Sequence, residues 1–433
     1  MSARIEILLR DHEPPLAGLT PGVREVLSNL AQRGATEEEL LASVIAADGG
    51  GAVPMLYFAI GALAREGALS YRVAGEGGTL VTATSKALLD FHSVDADRPL
   101  LLSRFALLRR DGPLMFLETP LSGVRVSIVD PRVMQALAML AAPKCLNDLT
   151  AVLPPDEAGA LCSLLSASGI LAAGDEEDGA FAYWSFHDLL FHSRSRFGRH
   201  YGGFGGTYPF RGRMEPPPLV KPPMSHEVVA LEKPELRGEL TSIIEGRRSS
   251  RRFGEKPITS RELGEFLFRT ARIREVYDAE TGQQLSRRPY PGGGAVYELE
   301  IYAAVRECLD LRPGLYHYCP LEHRLARVGE VSAALLRHAT QPPYAPPQVL
   351  LTITARIARV SWKYESMGYA LILKDVGVLM QTFYLVAEAM GLGACAIGGG
   401  DSDAFAAASG VDYYHEPSVG EFMIGSKAEG AAS

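Results

Sequence analysis

A chain of 433 residues is too long for one hydrophobic core, and its 47% apolar and 22% charged residues are ordinary globular composition, which excludes wholesale disorder. A net charge of −8 argues against bulk affinity for nucleic acid, which needs a positive field along the phosphates. Five widely spaced cysteines without a C-x-x-C pair suggest neither a structural zinc site nor a disulfide framework, so no metal and reduced thiols are expected. The first residues are unlike a signal peptide and no run of eighteen apolar residues occurs, so a soluble cytoplasmic protein without membrane contact is expected.

Thr20-Pro21 opens a helix with Val23, Val26, Leu27 and Leu30 on one face. Thr36 and Glu39 form a capping-box pattern ahead of Leu40, Leu41, Val44 and Ile45, and a third helix runs from about Pro54 to Arg65, closed by Gly67. Two short strands, Leu69–Val73 and Thr79–Thr82, flank a Gly-rich turn. Three helices and a two-stranded wing make a winged-helix pattern over residues 1–95. A similar set of strands and helices recurs over 96–201, with helices expected at Val133–Leu140, Leu146–Leu153 and Asp156–Ser168. The helices carry Glu37, Glu38, Glu39, Asp156 and Glu157 and few basic residues, so a peptide-gripping role, by strand addition to a wing edge, fits better than DNA binding.

Trp184 to His200 is dense in His and Arg, but His187 and His192 are five apart, which misses the spacing of a two-His metal face; an amphipathic helix packing Phe186, Leu189 and Leu190 is expected. Residues 202–235 hold many Gly and Pro and read as a linker. Beyond it, Gly246-Arg-Arg-Ser-Ser-Arg-Arg-Phe253 gathers four arginines and two hydroxyls into an anion site or a solvated basic turn. Pro289-Tyr-Pro-Gly-Gly-Gly294 precedes a strand, and the glycine triplet leaves backbone open to a flat ligand. Pro346–Ile357 is a buried strand, followed by Trp362-Lys363-Tyr364 and a long apolar helix, 371–390, with Asp375 and Gln381 as polar interruptions. Gly391-Leu-Gly-Ala-Cys-Ala-Ile-Gly-Gly-Gly400 closes it.

R-R-S-S-R-R-F, P-Y-P-G-G-G-A-V-Y-E-L-E, W-K-Y with D-x-G-x-x-x-Q, and G-L-G-A-C-A-I-G-G-G stand in the order found in the nitroreductase-like azoline oxidases. Residues 236–426 resemble that SagB/thiazoline-oxidase type closely, and Trp184–Arg199 resembles its upstream region. The resemblance implies an α+β fold, a mixed sheet flanked by helices over 236–433, behind two winged-helix-like domains. It implies FMN, with Arg247, Arg248, Ser249 and Arg251 on its phosphate, and Pro291, Gly292 and Gly294 reaching it from a partner subunit. Ala396, Ile397, Gly398 and Gly399 would lie beside the flavin ring, and Lys363 and Tyr364 would be the catalytic pair. Gly292 stands where such proteins often carry Ser, and Lys427 is the one basic residue of the tail. The implied reaction is oxidation of thiazoline or oxazoline rings in a precursor peptide, or on a carrier, with O2 as electron acceptor, in a homodimer and beside a cyclodehydratase. An NAD(P)H-dependent nitro- or quinone reductase, or a peptide-binding protein with a degenerate flavin domain, are the alternatives.

Overall fold

The computed structural model describes residues 4–10, 18–30, 32–174, 176–199, 207–209, 211–214, 219 and 235–428. The chain divides into unit 1, residues 1–194 with 199–201, and unit 2, residues 195–198 with 202–433. The expected linker, 202–235, falls mostly outside the described residues.

In unit 1, β1 (Arg4–Leu9) precedes α1 (Pro21–Leu30), α2 (Glu37–Asp48), α3 (Val53–Arg65) and the hairpin β2 (Leu69–Gly75) and β3 (Gly78–Thr84). The capping box closes α2 in both directions: Glu39 N donates to Thr36 Oγ1 at 3.2 Å and Thr36 N to Glu39 Oε2 at 2.9 Å. Strands β4 (Leu107–Asp111), β5 (Leu114–Glu118) and β6 (Arg125–Ile128) follow, then α4 (Pro131–Met139), α5 (Pro155–Ala167) and α6 (Phe186–Ser195). The helix expected at Leu146–Leu153 is a 3-10 helix, Leu146–Ala151.

Two expectations need correction here. The six strands form one sheet in the order β1-β2-β3-β6-β5-β4, with β3 and β6 paired from Val81↔Ile128 to Thr84↔Arg125. Leu27 and Leu63 share one core with Val126, Leu137 and Leu161. The boundary between residues 95 and 96 is therefore crossed by both sheet and core; a two-stranded wing is marginal alone and gains stability by pairing its exposed edge. Strand β1, read only as a short apolar run, covers the edge of β2. The edges of the first wing are thus occupied, and among the described residues β4 pairs with β5 alone.

Unit 2 comprises α7 (Glu239–Gly246), α8 (Ser260–Ala271), β7 (Glu275–Asp278), β8 (Gln284–Arg287), β9 (Leu299–Val305), β10 (Gly314–Cys319), β11 (Arg324–Gly329), α9 (Ala333–Leu336), β12 (Val349–Ala355), α10 (Ile357–Ser361), α11 (Gly368–Ala389), β13 (Leu392–Ile397), α12 (Ser402–Ser409) and β14 (Ser418–Ser426). Its large sheet has the order β11-β10-β9-β12-β14-β13, and every adjacent pair is antiparallel rather than mixed. The crossover through α11 does make β12 and β13 run the same way, but β14 inserts between them. Successive residues of β14 face opposite sides. Phe422 meets Phe383 and Tyr384 of α11, whereas Met423 joins the core under α9 and α12. Helix α11 is long and apolar enough to cross a membrane by length and composition, yet it packs Ile372, Val376, Leu379 and Phe383 inside unit 2.

Candidate functional site

The expected site residues fall into two clusters, both tied to α11. In the first, Arg247–Ser250 follow the end of α7 and run beside β13, with Ser250 N donating to Ala394 O at 2.7 Å. Tyr384 joins the pieces: its hydroxyl lies 2.9 Å from Ser249 Oγ and accepts from Ala396 N at 2.8 Å, while the Arg247 guanidinium lies 5.2 Å from the centre of its ring. Among the described residues Arg247, Arg248 and Arg251 form no ion pair, so three guanidiniums within five residues are left without a carboxylate. Lys427 differs, since its Nζ is 3.3 Å from Glu388 Oε1.

The second cluster is built on the glycine loop. Gly293 N donates to Asp375 Oδ2 at 2.8 Å, and Lys363 Nζ donates to Gly294 O at 2.9 Å. Gly294 has φ +58°, and a Cβ there would fall on the Tyr364 hydroxyl and 2.6 Å from Lys363 Nζ. Lys363 and Tyr364 therefore converge on one residue with no room for a side chain. They stand in the loop between α10 and α11, not at a strand end, because β12 stops at Ala355. Gly294→Ala is expected to displace Tyr364 and abolish turnover while the chain stays folded, measured by steady-state kinetics beside circular dichroism. Gly292 is crowded too: a Cβ would lie 3.1 Å from the Tyr297 ring, so the Ser common in the resembling proteins would need that ring to move. Pro291 is exposed.

Asp375 and Tyr384 are nine residues apart, which is about 14 Å along a helix. A single chain thus places Lys363, Tyr364 and Gly292–Gly294 at one end of α11, and Arg247–Ser250 with Ala396 nearer the other.

Behind the glycine loop lies a buried polar group that sequence reading did not single out. Arg288, Tyr290, Glu298 and Asp375 are each under a tenth exposed. Glu298 Oε1, Tyr290 Oη and Arg288 Nε have no hydrogen-bond partner. Burial raises the Asp375 carboxyl, against the lowering donated by Gly293 N, and burial pushes Glu298 up to about 7 from an ordinary 4.5. The bound proton of Glu298 contributes stability that is complete below pH 4.5 and lost as pH rises through about 7. That interval corresponds to about 3 kcal/mol at the usual 1.4 kcal/mol per unit. Glu298→Gln is expected to flatten this decline in unfolding free energy between pH 5 and pH 8, measured by urea titration.

The turn after β13 is held from elsewhere. Ile397 pairs with Glu421, Gly398 is exposed, and Gly399 and Gly400 are buried. A Cβ on Gly400 would fall on the Glu421 carboxylate. That carboxylate pairs with Arg196, whose Nη2 also donates to Ser418 Oγ at 2.8 Å, and Phe197 N donates to Gly400 O at 3.1 Å. The Phe197 and His338 rings stack at 3.6 Å. The end of the His/Arg-rich segment thus belongs to unit 2 and braces the Gly398–Gly400 turn. Its first part forms the amphipathic α6, with Leu189 buried as expected but Phe186 and Leu190 only half-buried.

Sheet, long helix and paired loops define an α+β domain. Residues 244–425 match the nitroreductase family, and residues 100–201 match the cyanobactin oxidase ThcOx family. A nitroreductase-family protein of Methanocaldococcus jannaschii is 31% identical over 163 residues, 37% of this chain and 78% of that protein. The microcin B17-processing protein McbC of Escherichia coli is 29% identical over 114 residues, 24% of this chain and 42% of that protein. The solved E. coli microcin synthetase McbBCD complex with truncated pro-MccB17 bound is 20% identical, covers 58% of this chain and 97% of its own, and has a TM-score of 0.43. The chain belongs to the nitroreductase family, and within it to the SagB/thiazoline-oxidase type.

Proposed function

We propose that the protein is an FMN-dependent dehydrogenase that oxidises thiazoline or oxazoline rings to azoles in a ribosomally made peptide, or on a carrier, with O2 as final electron acceptor. The observation that carries this reading is the convergence of Lys363 and Tyr364 on Gly294. Aromatising an azoline removes a proton from one ring carbon and a hydride from its neighbour. Bound FMN supplies the hydride acceptor. The chain must supply the base, and Lys363 and Tyr364, which meet at Gly294, are groups able to take and relay a proton.

The donor set fits the cofactor: Arg247, Arg248, Ser249 and Arg251 would hold the phosphate, a role supported by guanidiniums that lack a carboxylate partner among the described residues. Ala396, Ile397, Gly398 and Gly399 would line the ring, and Pro291, Gly292 and Gly294 would reach it from a second copy. A homodimer is supported by the two separate clusters on α11 and by this helix itself, since only 33% of its most apolar window is buried within one chain. The second copy would also provide burial for Lys363, which is exposed in a single chain and as a base needs its neutral form favoured.

We further propose that unit 1 is a fused pair of winged-helix-like modules that takes the precursor peptide as an added strand on β4, beside a cyclodehydratase partner, in the cytoplasm. Kinship with a microcin-processing protein supports a peptide substrate. The test is mass spectrometry of a thiazoline peptide incubated in air with the purified, FMN-supplemented protein. Loss of two hydrogens from the ring is expected. Failure to retain FMN, with no change in peptide mass, overturns the proposal; rapid flavin bleaching by NADPH with nitroarene turnover would assign a reductase instead.

A further inference from the structure

A second cationic site stands apart from the Arg247–Arg251 loop. The hairpin β7–β8 and strands β9 and β10 border an open cavity of about 290 Å³ lined by Arg288, Arg356 and Arg359, with His317, Glu300 and Tyr297. Three guanidiniums thus share one cavity with a single lining carboxylate. That carboxylate is already engaged, since Glu300 Oε2 lies 3.2 Å from His317 Nε2 and its Oε1 lies 3.6 Å from Arg356 Nη1.

Arg359 and Arg288 are held by backbone carbonyls, whereas Arg356 rests against Glu300. Arg359 donates from Nε to Val296 O at 3.1 Å and from Nη2 to Gln284 O at 3.0 Å. Arg288, 8% exposed, makes only long contacts, from Nη1 to Leu299 O at 3.4 Å and from Nη2 to Tyr297 O at 3.5 Å, and its Nε has no partner. Burial first, and then the neighbouring Arg356 and Arg288 charges, lower Arg359 from its usual value. The remaining acid beside them, Glu298, is pushed up to about 7 by burial, so at neutral pH it withholds about half its charge.

We propose that this cavity is an oxyanion-binding site for a carboxylate or phosphate group, with Arg288 and Arg356 as its principal donors. Planar guanidiniums with free N–H groups bind such anions through paired hydrogen bonds. The cavity shares Tyr297 and Arg359 with the segments that lead to Gly294 and Lys363. The inference does not depend on the azoline reaction.

The test is isothermal titration of the FMN-supplemented full chain with inorganic phosphate and, separately, with N-acetylglutamate, each against sodium chloride of equal ionic strength. Saturable binding of at least one probe is expected, weakened about tenfold or more by Arg356→Gln, the loss of one charge-assisted contact of about 1.5–3 kcal/mol. Arg356 is half-exposed, so this variant should fold, and circular dichroism verifies it. Tighter binding of phosphate would assign a free phosphate-type ligand, and tighter binding of N-acetylglutamate an acidic side chain or terminus; either supports the site. Heat no greater than in chloride overturns the proposal. Binding that survives Arg356→Gln but disappears in Arg248→Gln also overturns it, because the anion then sits in the Arg247–Arg251 loop and the cofactor assignment is what has been tested.

Discussion

Lys363→Ala is expected to lower kcat for azoline oxidation by about 10²- to 10⁴-fold, the usual worth of a positioned general base. The loss should fall on kcat with bound FMN unchanged, because Lys363 Nζ meets Gly294 O and none of the Arg247–Ser250 loop. Tyr364→Phe keeps the ring against Gly294 and removes only the hydroxyl, so comparison of the two variants separates base from relay. Single-turnover kinetics with a thiazoline peptide under saturating FMN would measure both. A Lys363→Ala enzyme with unchanged kcat removes this residue from the chemistry.

Arg196→Ala is expected to destabilise the protein by about 3–5 kcal/mol, because it strands a buried carboxylate. Arg196 and Glu421 are each 6% exposed and pair with one another, and Glu421 Oε2 already lacks a partner. The double variant Arg196→Met with Glu421→Leu removes both charges and should recover much of the loss. Urea unfolding of the three proteins gives the comparison. Equal destabilisation of single and double variants would show that lost packing, not charge, dominates. The flavin absorption spectrum adds a second reading. A shift in Arg196→Ala that the double variant does not reverse would mean that this pair orients the Gly398–Gly400 turn.

Much of unit 2 could be read before any coordinates, for physical reasons. A long apolar helix flanked by glycine-rich strands is visible because helix and strand periods differ, and arginine clusters and glycine triplets are contiguous in the chain. The lack of side-chain space at Gly294 is likewise foreshadowed by its residue type. Asp375 and Gln381 showed as interruptions of an apolar run and as the ends of the D-x-G-x-x-x-Q motif, with no partner indicated. That Asp375 holds Gly293 N depends on eighty-odd intervening residues folding back, and no local signal records it. Tyr384 and Glu421 left no signal, because a lone tyrosine in a helix or a lone glutamate in a strand usually faces water, and Glu298 stood in the quoted glycine-loop motif with no role attached.

Residue chemistry by itself determined the capped helices of unit 1, the order of the four motifs and the membership of Lys363 and Tyr364 in one loop. Pairing between distant segments decided the rest. The two halves of unit 1 merged because a wing edge finds its partner in β6, and the large sheet of unit 2 became antiparallel because β14 lies between β12 and β13. Arg196, read only as part of a His- and Arg-dense stretch, became a buried ion-pair partner once tertiary packing brought Glu421 to it. Burial changes the energy of a charge far more than it changes the pattern of a sequence, so such sites come to light only in three dimensions.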